Sequence, residues 1–207
     1  MLRRIVRSSL LETSLLAGWL CCLGLLAGCG GGDGGGPSDT AASLTAQGWD
    51  LYEDGDYEGA IGKFDAATDL DANYSDAYNG LGWSYAKLDS LSKALTNFSL
   101  CISRGDTRPD PHAGKAPVLR DLNPPQFQNA IDAAIAALTK DSDFEFEHYE
   151  DFDWRDLRLI KAQCYYGLNM WAEAVDEIEA LGGSVSDPNS AEEIAEKIED
   201  LGDLYGG

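Results

Sequence analysis

The chain has 207 residues, with 36 acidic and 15 basic side chains and a formal net charge of −21. So acidic a balance excludes nucleic acid as a partner class, because phosphate backbones are gripped by lysine and arginine. The length allows one moderate domain once a leader is removed.

Residues 1–28 read as an export leader. Arg3, Arg4 and Arg7 give a positive start, and residues 15–26 form an apolar run too short for a stable membrane span. The run closes on Leu26, Ala27, Gly28 and Cys29, which resembles the lipobox of bacterial lipoproteins. That resemblance implies cleavage before Cys29 and acylation of its thiol, so that the lipid bilayer is held through Cys29. An ordinary secretory signal followed by a chance cysteine is the other reading. Residues 29–40 are glycine-rich and form a flexible tether, spanning roughly 15–20 Å. Several acyl chains make such an anchor stable where one is marginal. Gly30, not aspartate, follows the cysteine. In a two-membrane bacterium the resemblance then implies the periplasmic face of the outer membrane; in a one-membrane host it implies the outer face of the cell. Removing the leader takes away three arginines and Glu12, which leaves 12 basic and 35 acidic residues, a net of −23. This acidity reads either as solubility in a salty medium or as attraction to a basic partner.

From residue 41 a helical pattern repeats at a fixed offset of 34 in the numbering. Gly48 returns as Gly82, Ala60 as Ala94, and Tyr57, Ile61 and Phe64 return as Leu91, Leu95 and Phe98. Small residues at fixed places let two helices press together, and Phe64 and Phe98 fill the space toward the next hairpin. The second-helix spacing recurs as Phe127, Ala130, Ile131, Ala134 and Ala137. It recurs again as Trp171, Ala174, Val175, Ile178 and Leu181, with Ala162 and Tyr165 in the helix before. The steps between second helices are 34, 36 and 44, so two residues are added before the third copy's second helix and ten before the fourth's. Carried back by the same step, the third copy's first helix holds Pro117, puts Val118 at the small-residue position and is ended by Pro124 and Pro125.

This pattern resembles the tetratricopeptide repeat. The resemblance implies an all-α, right-handed α-α superhelix of about three to four helical hairpins with a C-terminal capping helix. The copies fall at about residues 41–74, 75–108, 111–144 and 155–188. An acidic and aromatic insert occupies residues 141–154. The cap at residues 189–204 begins with a Ser190/Glu193 capping box and carries the stripe Ala191, Ile194, Ala195, Ile198 and Leu201. Cys101 and Cys164 read as buried thiols, although an exported location permits a disulfide.

In this family the first helices line a concave groove. The resemblance places Thr45, Trp49, Tyr52 and Glu53 there from the first copy, and Asn79, Trp83, Ala86 and Lys87 from the second. It adds Lys115 and Leu119 from the third copy, and Gln163 and Tyr166 from the fourth. Trp49 and Trp83 stand where a terminal-carboxylate clamp would need asparagine, so that clamp is absent. What remains is an aromatic trough for an apolar or extended peptide segment, or for a sugar face, unless the two tryptophans are packed and the groove is filled by the chain's own residues 141–154. In the insert, acids alternate with Phe144, Phe146, His148, Phe152 and Trp154, the pattern of an extended strand with one buried face. It reads as a loop packed back on the stack, a hook for a partner, or a calcium loop without the usual turn glycine.

Catalysis finds no motif. His112 and His148 are the two histidines; no serine elbow, phosphate-cradling loop or zinc spacing accompanies them. Neither cofactor nor metal is implied. The expectation is a membrane-anchored interaction scaffold or adaptor of the bacterial envelope, binding another envelope protein or peptide segment. The alternative is a small-ligand or glycan module using Trp49, Tyr52 and Trp83.

Overall fold

The computed structural model describes residues 39–149 and 151–205, and the leader, Cys29 and most of the tether lie outside them. Among the described residues there are nine helices in chain order: α1 (Ala41–Glu53), α2 (Tyr57–Leu70), α3 (Ser75–Lys87), α4 (Leu91–Ser103), α5 (Asp110–Asp121), α6 (Phe127–Lys140), α7 (Trp154–Gly167), α8 (Trp171–Ala180) and α9 (Ala191–Tyr205).

Local chemistry sets the helix ends. The Thr40 hydroxyl accepts from the Ser43 N–H at 3.0 Å while the Ser43 hydroxyl accepts from the Thr40 N–H at 2.9 Å, closing α1 with a reciprocal cap. Asp56 caps α2 through the Gly59 N–H at 3.0 Å. Gly55 takes φ of 81° in the α1–α2 turn, where a side chain would be strained.

The hairpins nest on two phenylalanines. A methyl group on Gly48 would stand 2.6 Å from the Phe64 ring, and one on Gly82 would stand 2.5 Å from the Phe98 ring. Each ring also meets the following hairpin: Phe64 lies against Gly80 and Phe98 against Gly114. Each phenylalanine is therefore gripped between two glycines of successive first helices, and both rings are fully buried. Such a close fit excludes even one added carbon without movement.

The third hairpin has a complete first helix, in a register different from the sequence expectation. Gly114 and Ala116 stand one full repeat step after Gly80 and Gly82, so the small residue is the buried Ala116 and not Val118. The two extra residues sit in the α5–α6 turn. The turn amides of Asp56, Ser90 and Met170 donate to the carbonyls of Leu51, Tyr85 and Tyr165, each five residues back. In the third hairpin the Gln126 N–H returns to Leu119, seven residues back, at 2.9 Å. The wider turn closes on the same helical position. Pro117 lies inside α5 without ending it.

Helix α9 lays Ile194, Ile198 and Leu201 against α7 and α8, where they join Leu159, Ala162, Ile178 and Leu181. Ser190 accepts from the Glu193 N–H at 3.2 Å, but the Glu193 carboxylate does not complete the expected reciprocal box. It accepts instead from the N–H groups of Ser186 at 2.5 Å and Asp187 at 2.9 Å, tying down the preceding loop. Cys101 and Cys164 are buried free thiols. No helix among the described residues is long and apolar enough to cross a membrane.

Candidate binding groove

The first helix of each hairpin contributes one face to a common groove. By register α1 supplies Thr45, Trp49 and Tyr52, α3 supplies Asn79, Trp83 and Ala86, and α7 supplies Leu159, Gln163 and Tyr166. The corrected register of α5 replaces Lys115 and Leu119 with Ala113, Pro117 and Arg120. Leu119 is buried in the core. Lys115 lines a separate hollow with Leu95 and Ser99 of α4 and Asn129 of α6. Arg120 is the groove residue that the spacing between second helices misses. Gly114 and Ala116, each one repeat step after a glycine of α3, are the signal that could have found it.

The groove is already occupied by the chain itself. The insert folds into a small hairpin joined by an antiparallel bridge between Glu145 and Asp153. The Phe146 N–H donates to the Phe152 carbonyl at 3.0 Å and the Trp154 N–H to the Phe144 carbonyl at 2.8 Å. Extended backbone sends alternate side chains to opposite faces. Phe144 and Phe146 point inward and are buried, His148 follows them partly buried, and Glu145 and Glu147 are exposed.

Aromatic contacts hold the hairpin down. Phe146 stacks on Trp83 with ring centres 4.0 Å apart and meets Trp49 edge-on at 6.1 Å. His148 stacks on Trp49 at 3.8 Å, and its Nδ1 lies 2.7 Å from a Glu53 carboxylate oxygen. Lys87 places its ammonium 3.4 Å from the centre of the Tyr149 ring. Burial pushes the Lys87 pKa down, while Asp151 opposes that shift. Trp49 and Trp83 are each 5% exposed, Tyr52 3% and Asn79 1%, so neither tryptophan offers an open face for a sugar ring. Trp154, half-buried, carries the guanidinium of Arg155 at 4.5 Å from its ring centre and does not enter the groove stack.

The polar side of the same groove is left unmatched. Thr45 Oγ1, Tyr52 Oη, Trp83 Nε1 and both amide atoms of Asn79 are buried without a hydrogen-bond partner. Burial raises the Tyr52 pKa far above the phenolic range.

Beyond the insert the groove stays open as a cleft of about 360 Å³ between α3, α5, α7 and α9. Lys87, Arg120, Asp156, Gln163 and the insert's Tyr149 and Phe152 line it. Arg120 donates through Nη1 to the side-chain oxygen of Gln163 at 2.7 Å and pairs with Asp121 at 2.8 Å. Burial pushes the Asp156 carboxyl up to about 6, although it accepts a hydrogen bond from the Asp153 N–H at 2.8 Å. Tyr166 is half-buried on α7. On the other side of the insert, Asp50, Glu53, Asp76, Glu147, His148 and Arg108 surround a shallow cleft of about 370 Å³. The described residues contain no group of three His, Cys, Asp or Glu side chains placed to hold a metal ion.

The TPR repeat family model matches residues 48–89, from the middle of α1 through α2 and α3. No curated relative matches the chain. Among solved structures, YrrB, described as a TPR protein with an unusual peptide-binding site, superposes with a TM-score of 0.61 at 20% identity, covering 78% of this chain and 86% of its own. MamA superposes with a TM-score of 0.56 at 17% identity, covering 79% and 81%. TTC0263, a thermophilic TPR protein of Thermus thermophilus, gives 0.54 at 16% identity, covering 80% and 83%. The fold is the all-α superhelical TPR fold, an architecture that presents an extended concave surface.

Proposed function

We propose that the protein is a lipid-anchored adaptor of the bacterial envelope, moored through Cys29 by the glycine-rich tether, which receives a segment of another protein in its concave groove. One observation supports the groove more than any other. An extended stretch of polypeptide, the chain's own insert, already lies in it and is held by stacking on Trp83 and Trp49. A surface that seats one extended segment has the shape to seat another. YrrB, of the same fold, is described as having a peptide-binding site. The anchor rests on the order of charged start, apolar run, Leu26-Ala27-Gly28-Cys29 and tether.

Two measurements test the reading. Cys29→Ser should move the protein from the detergent phase to the aqueous phase and remove acyl mass from its N-terminal peptide. Crosslinking in cells should recover a defined protein partner, and Trp83→Ala should lose it. A protein that stays aqueous with Cys29 intact, or a partner kept equally by Trp83→Ala, refutes the anchor or the groove respectively.

A further inference from the structure

The insert fits the groove in one respect and misfits it in two. Its aromatic side chains fit: Phe144, Phe146 and His148, at alternate positions of an extended strand, all turn inward. Its main chain does not. The hydrogen bonds of Phe146, Phe152 and Trp154 close the insert on itself. Among the described residues no backbone hydrogen bond joins it to α1 or α3. Tyr52 and Trp83, which its Phe146 meets, keep buried polar atoms without partners, as do Thr45 and Asn79 on the same helices, and Asn79 offers both a donor and an acceptor. Buried polar atoms left unpaired carry an uncompensated loss of hydration.

Charge is the second misfit. Glu147 borders the cleft that Asp50, Glu53 and Asp76 already line. The arginine there, Arg108, is held 2.7 Å from both Asp76 and Asp106. Although His148 faces Glu53, Glu147 thus adds to a rim that is acidic on a chain of net charge −21. A segment with a cation at the place of Glu147 would be attracted where that carboxylate is repelled.

We propose that the insert is a displaceable self-ligand, and that the partner segment exchanging with it is extended, carries aromatic side chains two residues apart, and bears lysine or arginine directly after the second, at the place of Glu147. This rests on the groove being the partner site. The partner's rings take the places of Phe144 and Phe146, its amides reach Asn79, and its cation meets the rim of Asp50, Glu53 and Asp76.

Two labelled peptides provide the test, one reading Phe-Glu-Phe-Glu-His as in the insert and one reading Phe-Glu-Phe-Lys-His. Each is titrated by fluorescence anisotropy against the full chain and against the double variant Phe144→Ser/Phe146→Ser, with circular dichroism to check folding. The lysine peptide should bind the variant at least tenfold more tightly than the parent. It should outbind the glutamate peptide and weaken as salt rises. Equal affinity for parent and variant, an equal or better glutamate peptide, or no binding at all overturns the exchange. If the variant does not fold, hydrogen exchange on the parent decides. The amides of Phe146 and Trp154 should exchange through an opening that leaves α3 and α4 protected, and faster with lysine peptide present. Exchange of those amides only by global unfolding overturns the proposal. A crosslinked partner recovered while both peptides fail removes the exchange and leaves the adaptor; an unlipidated Cys29 with no partner recovered removes the adaptor itself.

Discussion

The ring of Phe146 lies almost parallel to the indole of Trp83, with centres 4.0 Å apart and planes 19° apart. One partner comes from a repeat helix and the other from a loop inserted between repeats, so the contact belongs to this chain and not to its repeat pattern. Phe146→Ala should expose Trp83 and Trp49 and shift tryptophan emission to the red. The stability loss should be about 1.5–3 kcal/mol, the usual worth of one buried phenylalanine. Phe98→Ala, between Gly82 and Gly114, should cost more, about 3–5 kcal/mol, because the two packed hairpins around it cannot collapse. Urea melts of the two variants check the order, and an equal or reversed loss contradicts the assignment of the insert as the looser element.

Glycines of the stack differ in what surrounds them, and their alanine variants should differ in sign. A methyl group on Gly80 would overlap the Phe64 ring, whereas one on Gly62 meets nothing within 4 Å. Gly80→Ala should destabilise by about 1–3 kcal/mol through overpacking. Gly62→Ala, inside α2, should stabilise by about 0.5–1 kcal/mol, since alanine loses less backbone freedom on folding. Gly82→Leu and Ala94→Leu, both at buried helix-pairing positions, should each cost several kcal/mol, about 3 or more. Thermal melts that leave Gly80→Ala and Gly82→Leu at the parent value would remove the nesting described for Phe64 and Phe98.

The hairpins were legible in the sequence because glycine, alanine and phenylalanine recur where helices touch, and contact distance tolerates few alternatives. The α5 register was not, because the step between second helices misplaces it. An insertion in a turn shifts one helix of a pair and leaves the other in place. Gly114 and Ala116 keep α5 at the regular repeat step, and the turn bond from Gln126 to Leu119 absorbs the difference. The groove positions Trp49 and Trp83 were legible, and their burial under residues 141–154 was one of two readings the sequence left open. Alternation in the insert announced one dry face, and packing back on the stack was a reading it allowed, but it did not say which rings that face would meet. That depends on where a loop between α6 and α7 can reach, which no local pattern encodes.

Asp156 gives the fold a pH dependence of definite sign. Burial raises its folded-state pKa from 3.8 to about 6, so the native state holds a proton that the unfolded chain releases. A raised folded pKa contributes stability that is fully present below the unfolded value and is lost as pH rises through the folded one. This contribution should therefore fall between about pH 4 and about pH 6 and stay level above. Asp156 is partly open to the cleft, so solvent screening limits the effect to about 1 kcal/mol. Asp156→Asn removes the ionisation and should lower the unfolding free energy at pH 4 relative to pH 7 by about that amount, read from urea melts at the two pH values. An unchanged difference between the two pH values would mean the carboxyl is not desolvated.

Pro117 sits in the interior of α5, where it has no N–H for the carbonyl of Ala113, and it lines the open cleft beside Arg120. Proline in a helix interior costs about 3 kcal/mol relative to alanine when the helix must adjust around it. Pro117→Ala should restore that hydrogen bond and raise stability by about 1–3 kcal/mol, read from the urea midpoint. The same change removes a rigid ring from the cleft wall between Trp83 and Gln163. A more stable variant with weaker partner recovery would show that the residue shapes the groove at the expense of the helix. A more stable variant with unaltered recovery would confine its role to the fold and move the contact surface toward Trp83 and Lys87.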